Sequence, residues 1–176
     1  MIIPDLLFRI IKTARVLIIF CILDTSASSI KLDGVIDSEW DKALTYELNY
    51  EIDPGLNAKA TLKTTALVQY DEDYLYIGFK VYGEPSKLRG TFRARDTAFN
   101  EEFVALILDP YNDNRSNLAI GVSSMGSQLD WKHISNREED TSWNILYFSN
   151  VQLTDYGYSA ELQIPFAELQ FEEKEM

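Results

Sequence analysis

Through most of this chain, from about residue 45 onward, apolar and polar residues alternate with a period of two, and turn-forming residues separate the runs. Such alternation sends successive side chains to opposite faces of an extended strand, whereas a helix needs a repeat near 3.6. No long stretch shows the helical repeat. The expected fold is all-β: a two-sheet antiparallel β-sandwich, jelly-roll-like, with short helical turns. At 176 residues the chain accommodates one such domain, burying roughly 70% of its unfolded surface.

The first part of the chain differs in character. Arg9, Lys12 and Arg15 precede the apolar run 16–23, and Ser26, Ala27, Ser28 and Ser29 follow it. Basic, apolar and small residues in that order read as a secretory signal peptide over residues 1–28, leaving a domain over 29–176. The apolar run falls far short of the roughly 20 residues a spanning helix needs. Cys21, the one cysteine, follows Phe20 where a lipoprotein signal wants a small residue, so lipidation is not expected. The mature domain would then hold no disulfide and would rely on core burial, with or without a bound metal. Export to the periplasm, the outer membrane or the extracellular space is the expectation.

Charge narrows the partners. Lys and Arg number 16 against 28 Asp and Glu, a net of −12. Such a surface repels phosphate backbones, and nucleic acid is not an expected partner.

Segment by segment, residues 30–32 read as a short strand turned at Asp33-Gly34. Residues 38–43 read as a helical turn, N-capped by Ser38, with Trp40 as a core plug. Residues 45–52 alternate Tyr46, Leu48, Tyr50 and Ile52 on one face, and Asp53-Pro54-Gly55 turns the chain. A hairpin follows over 60–70 and 74–82 around the acidic turn Asp71-Glu72-Asp73. Residues 83–100 lose the alternation and collect Arg89, Arg93 and Arg95, as in a loop with a short strand around 91–94. The nearly continuous apolar run 103–109 is expected to be a central strand buried on both faces. Strands over 117–123 and 129–133, a last hairpin over 143–153 and 158–165, and a helical turn from Ala167 complete the pattern. The expected core includes Leu67, Ile77, Phe79, Val104, Leu106, Leu108, Leu162 and Ile164.

Four segments in order, LDGVIDSEW, YDEDYLYIGFKVY, LDPYNDNR and GYSAELQIPFAEL, resemble carbohydrate-binding module family 9, and the likeness runs from Ile30 to Phe171. The resemblance implies a noncatalytic sugar-binding sandwich, of the type found at the N-terminus of bacterial outer-membrane barrel-like proteins. It names a polysaccharide or oligosaccharide as partner, and a C-terminal barrel region absent from this chain as a second. The alternative is a periplasmic or surface interaction or plug domain that binds no sugar. In the family a further strand follows the last helical turn; this chain ends at Met176 before it, so either the chain is a fragment of a longer product or the domain lacks that strand.

The residues themselves argue against catalysis. His133 is the only histidine, no G-x-S-x-G occurs, and no Ser/His/Asp or Cys/His arrangement is available. Glu101 and Glu102 are adjacent, and adjacent strand residues point to opposite faces, so one is expected to bond a neighbouring loop and the other to be solvated. Sugar rings pack their C–H faces on flat aromatic rings while amides and charges bond the hydroxyls. Trp131 and Trp143 are the candidate platforms, each with core burial as the alternative, and Tyr111 and Tyr156 are weaker ones. Arg95, Asn100, Glu102 and Gln128 are the candidate polar contacts. Asp109, Asn112, Asp113 and Asn114 crowd hard oxygen ligands into one turn suited to a structural calcium, although Asx-rich turns also form for backbone reasons; Asp33 and Asp37 are a second such pair. Met125 and His133, on opposite arms of one expected hairpin, make haem ligation a remote third reading.

Overall fold

The computed structural model describes residues 30–51, 57–88, 90–112, 115–134 and 139–169. The signal segment, the Asp53-Pro54-Gly55 turn, Arg89 and Phe171 lie outside the described residues. Ten strands are described: β1 (Leu44–Glu47), β2 (Tyr50–Glu51), β3 (Ala58–Lys59), β4 (Thr64–Tyr70), β5 (Tyr74–Tyr82), β6 (Phe103–Leu108), β7 (Ser116–Ser123), β8 (Gln128–Ile134), β9 (Phe148–Thr154) and β10 (Gly157–Pro165). Short 3-10 turns occupy Ser38–Trp40, Pro85–Lys87 and Phe166–Glu168. The strands form a five-stranded sheet in the order β1-β4-β5-β10-β9, a three-stranded sheet in the order β6-β7-β8, and the small β2-β3 pair. Every pairing is antiparallel, as the alternation requires.

Between the two larger sheets lies the main core, built from Ile77, Phe79 and Val81 of β5, Val104 of β6, Ile120 and Val122 of β7, and Tyr158, Ala160, Leu162 and Ile164 of β10. A second layer covers the opposite face of the five-stranded sheet. There Ile30 and Trp40 pack with Leu67 and Tyr76, and Gly78 makes room: a Cβ at that position would stand 3.1 Å from the Trp40 ring.

That second layer explains why the first and last sequence segments belong together. Glu161, 0% exposed, receives N–H bonds from Asp33 (2.8 Å), Gly34 (2.6 Å) and the Trp40 indole (2.9 Å). Gly34 adopts φ +86° and its added Cβ would lie 2.8 Å from the Val151 backbone, so glycine is the residue this crossing needs. The YD segment is likewise a local device. The Asp71 carboxylate accepts from Asp73 N–H (2.9 Å), Tyr74 N–H (2.7 Å) and the Tyr76 hydroxyl (2.7 Å), fixing the β4–β5 turn. Phe166 N–H then bonds Asp73 C=O at 2.8 Å, joining the IPF segment to it.

Several expectations change. The apolar run 103–109 is not a central strand: β6 stands at the edge of its sheet, with Phe103 and Ile107 exposed, and Leu106 and Leu108 are only partly buried. The centre belongs to β7, whose smaller and more polar residues let the neighbours close in; a Cβ on Gly121 would meet Val104 O at 2.5 Å. A central place is set by which strands pair on both sides, and hydrophobicity alone does not report it. Leu67 is buried against Trp40 in the second layer, outside the main core. Residues 30–32 and 91–94 form no strand, the strand expected over 45–52 breaks into β1 and β2 in its described part, with Ile52 outside the described residues, and the strand expected from Trp143 starts at Phe148. Asp37, not Ser38, caps the first turn, its side chain accepting from Glu39 N–H at 3.0 Å.

Candidate functional site

On the outward face of the three-stranded sheet the register sets Ile107, Ala119 and Trp131 in one row across β6, β7 and β8. Phe103, at the start of β6, faces the same way by strand alternation. Because Ala119 and Gly121 are small, the rings on either side meet over β7. Phe103 and Trp131 stand 6.1 Å apart edge to face, and Phe99 completes the group at 5.5 Å from Trp131 and 6.4 Å from Phe103. Phe103 is 37% exposed and Ile107 48%, while Phe99 and Trp131 are half-buried. The result is a stiff aromatic patch, its rings fixed by one another and open to solvent on one side.

Phe99 reaches the patch from the segment 90–100, which a polar clamp holds against β8. Arg95 donates from Nε to Asp130 Oδ1 (2.6 Å), from Nη1 to Gln128 Oε1 (3.1 Å) and from Nη2 to Ile145 C=O (2.5 Å), and its guanidinium lies 5.1 Å from the Tyr147 ring centre. Asp130 is 0% exposed; its Oδ2 accepts Ile145 N–H at 2.7 Å, and its own N–H donates to Asp96 Oδ1 at 2.8 Å. Burial pushes the Asp130 carboxyl above the ordinary carboxylate range, against the pull of Ile145 N–H and the guanidinium. Gln128 spends its amide on Tyr147 C=O (3.1 Å) and Ser149 Oγ (3.2 Å). The Tyr147 hydroxyl donates to Gly121 C=O at 2.6 Å and accepts Leu129 N–H at 3.0 Å, which pins residues 143–147 to the same sheet.

Arg95 and Gln128 are therefore brought together, yet their polar atoms hold the loop in place. Asn100 is exposed in the segment between Phe99 and Phe103. Glu102 faces elsewhere, lining a cleft of about 430 Å³ with Leu62, Val81, Gly83, Glu84, Lys87 and Leu88. Its neighbour Glu101 bonds Arg93 (2.5 Å) and Thr91 N–H (3.0 Å), and Arg93 holds that carboxyl below the usual range. One acid on the loop and one solvated is the division expected of adjacent strand residues.

The two tryptophans do not share a site. Trp143 packs partly buried against the main core, and no ring contact joins it to Trp131 among the described residues. Tyr111 is exposed beyond β6, and Tyr156 stacks on Tyr82 at 5.0 Å. Sequence reasoning missed Phe99 and Phe103 because it placed Phe103 in a buried strand. Their spacing of four around polar residues was the available signal.

In the Asx-rich turn Asp109 is buried, Asn112 takes φ 51° with its N–H on Asp109 C=O at 3.3 Å, and Asp113 and Asn114 lie outside the described residues. Among the described residues no three of His, Cys, Asp and Glu gather as a metal site. Asp33 and Asp37 serve the backbone, accepting Val35 N–H and Glu39 N–H at 3.0 Å each. Met125 sits in the β7–β8 turn while His133 lies near the far end of β8, roughly 17 Å further at about 3.3 Å per residue, too far to ligate one iron from both sides.

Comparison with known proteins agrees with this architecture. The family described as "Carbohydrate family 9 binding domain-like" matches residues 32–176. A carbohydrate binding module family 9 from Caldicellulosiruptor kristjanssonii, solved with cellotriose, superposes with a TM-score of 0.51 at 17% identity, covering 84% of this chain and 66% of that one. The glucose complex from the same organism gives a TM-score of 0.53 at 17% identity over 85% and 71%. A protein from Bacteroides uniformis gives 0.55 at 12% identity over 73% and 63%. The chain thus spans about two thirds of the solved structures it matches. No curated protein matches it.

Proposed function

We propose that this chain, which belongs to the carbohydrate family 9 binding domain-like family, is a noncatalytic carbohydrate-binding module that seats a sugar on the Phe99, Phe103 and Trp131 patch. The observation that carries the reading is the exposed edge of this aromatic group on a rigid sheet. A pyranose C–H face packs on such rings, and the exposed Asn100 side chain is the polar group best placed in sequence to bond its hydroxyls. Support comes from the complexes of the Caldicellulosiruptor modules with cellotriose and glucose.

Affinity would be modest. At about 0.3 kcal/mol per atom over roughly 23 heavy atoms, a disaccharide reaches a ceiling near 7 kcal/mol, a Kd on the order of 10 μM. Binding to a neutral sugar would also survive high salt. Calorimetric titration against plant, algal and bacterial glycans tests this, with Trp131→Ala and Phe103→Ala expected to abolish the heat while the variants stay folded. A full panel without heat at millimolar glycan would reject the reading.

A second reading, an interaction or plug domain without sugar binding, is favoured by one observation: Arg95 and Gln128, two of the side chains expected to bond sugar hydroxyls, are committed to the loop clamp. In either case we place the domain outside the cytoplasm, exported by residues 1–28 to the periplasm, the outer membrane or the extracellular space, with a barrel region as a candidate neighbour. The turn holding Asp109, Asn112, Asp113 and Asn114 is proposed as a structural calcium site. Chelation would then lower stability by roughly 2.7 kcal/mol for a site filled at about 100 times its Kd, read as a fall in Tm; an unchanged Tm would dismiss the site.

A further inference from the structure

Aromatic rings hold a sugar by its C–H face and leave its orientation to hydroxyl bonds, and at this patch Arg95 and Gln128 already bond the protein. The strand register places another pair of polar groups beside the rings. One step of two residues from the Ala119–Trp131 pair, β7 and β8 set Asn117 directly opposite His133. Alternation sends both side chains to the outward face, the face of Trp131 and Phe103.

The fold makes no use of their polar atoms. Asn117 and His133 are half-buried, and among the described residues neither side chain has a hydrogen-bond or ion-pair partner. Directly opposed residues keep their Cβ atoms about 5 Å apart, so amide and imidazole stand side by side without bonding each other. Together they offer amide N–H donors and a C=O acceptor, and a neutral imidazole adds one N–H and one bare ring nitrogen. Groups of this kind are served by water until a ligand brings equivalent bonds.

Trp131 does not cover the pair. Its ring contacts, with Phe99 at 5.5 Å and Phe103 at 6.1 Å, lead the other way, since Phe103 pairs with Ser123 on the far side of Ala119 from Asn117. Two residues along a strand advance about 7 Å, a step comparable to one unit of an extended sugar chain. The row is also uncharged when the imidazole is neutral: Lys132, between Trp131 and His133, points to the opposite face by alternation. A mixed set of donors and acceptors without a fixed charge suits neighbouring hydroxyls, each of which both donates and accepts. A sulfate, phosphate or carboxylate would meet the field of a chain with net charge −12.

We propose that Asn117 and His133 form a second sugar subsite beside the aromatic patch. The ligand is then a neutral oligosaccharide of at least two units lying along the strands. One pyranose packs on the Phe103 and Trp131 rings, and the next gives a pair of neighbouring hydroxyls to the Asn117 amide and the His133 imidazole. The subsite rests on the sugar-binding reading of the patch and supplies the directional bonds that the rings cannot.

His133 is the only histidine, so in the untagged chain its imidazole C–H signals in proton NMR report this position alone. The Trp131 indole N–H signal, identified through Trp131→Phe, reports the patch. The probes are glucose, mannose, galactose and xylose, each beside its β-linked disaccharide. A bound disaccharide should move both signals together, and the matching monosaccharide chiefly that of Trp131. Asn117→Ala and His133→Phe should each lower disaccharide affinity about tenfold, the scale of one lost hydrogen bond, and bring it toward that of the monosaccharide. His133→Gln, which keeps a donor and an acceptor, should restore most of the difference. Circular dichroism checks each fold, and the unmodified chain alone decides the point if a variant unfolds. A disaccharide that moves Trp131 and leaves His133 still, or an affinity ratio indifferent to Asn117→Ala and His133→Phe, would remove the subsite and keep the sugar reading. Probes that move neither signal would remove both.

Discussion

Among the described residues two carboxylates are fully buried, and they are held in different ways. Glu161 sits between β10 and the N-terminal layer and accepts three neutral N–H donors, from Asp33, Gly34 and Trp40. Asp130 sits under the segment 90–100 and pairs with a guanidinium that is 30% exposed. Neutral donors can satisfy a carboxylate without bringing a second desolvated charge, whereas an ion pair must recover the desolvation of both partners. The first arrangement ties together elements far apart in sequence; the second fastens one loop and keeps a wet edge. The contrast assigns the Glu161 cage to the fold and the Arg95 clamp to the positioning of Phe99.

The sharpest way to break that contrast is to damage both sides and ask what fails. Trp40→Ala removes a fully packed ring and one of the Glu161 donors, and should cost about 3–5 kcal/mol of unfolding free energy by denaturant titration. Arg95→Ala should cost less, about 2–3 kcal/mol, because the guanidinium is partly solvated although Asp130 stays buried without it. Its distinguishing mark is functional: glycan affinity should fall with the loss of Phe99 placement, whereas Trp40→Ala protein below its melting range should bind normally. Equal losses of binding in both variants would erase the division of labour.

The sequence made the Glu161 side far more legible than the Arg95 side. The ends of β5 and β10 follow from turn residues: Asp71-Glu72-Asp73 opens β5, and Asp155-Tyr156 gives way to β10 at Gly157, which takes φ 142°. Trp40 could be read as a plug because a single turn needs a large apolar anchor. Residues 90–100 offered no period at all, since their order comes from side-chain bonds to β8 and to residues 143–147, partners remote in sequence. Arg95 and Gln128, both expected to contact a sugar, stand together in the loop clamp, because a guanidinium suited to a sugar hydroxyl suits a backbone carbonyl equally well. The apolar run of β6 misled for a related reason, as a strand with one neighbour can be as hydrophobic as a strand with two.

A smaller effect follows from where β6 stands. Leu106 is partly buried on an edge strand, while Ile120 is fully buried on the central strand paired with it. Leu106→Ala should therefore fall near the low end of the core range, about 2 kcal/mol, and Ile120→Ala toward the high end, about 4 kcal/mol. Equal costs in chemical denaturation would return β6 to the interior.

The smallest expected effect, and the one that separates the two carboxylates most directly, is in pH. Burial raises Glu161 above the ordinary carboxylate range, with the Gly34, Trp40 and Asp33 donors pulling it back, and Asp130 is raised for the same first reason. A carboxyl whose folded pKa is raised binds its proton more tightly in the folded state. Its contribution is complete below the unfolded value of about 4 and is lost as pH rises through the folded value. Stability should thus carry a declining component just above pH 4 from each group. Glu161→Gln removes one component and leaves the other, so the slope of unfolding free energy against pH between about 4 and 6 should flatten without vanishing. The residual slope belongs to Asp130, and it should respond to Arg95→Lys, which keeps the charge but loses the planar fork that reaches Asp130, Gln128 and Ile145 together. A profile unchanged by Glu161→Gln would mean that the three N–H donors hold that carboxylate as readily as water does, making the cage water's equal as a solvent for it.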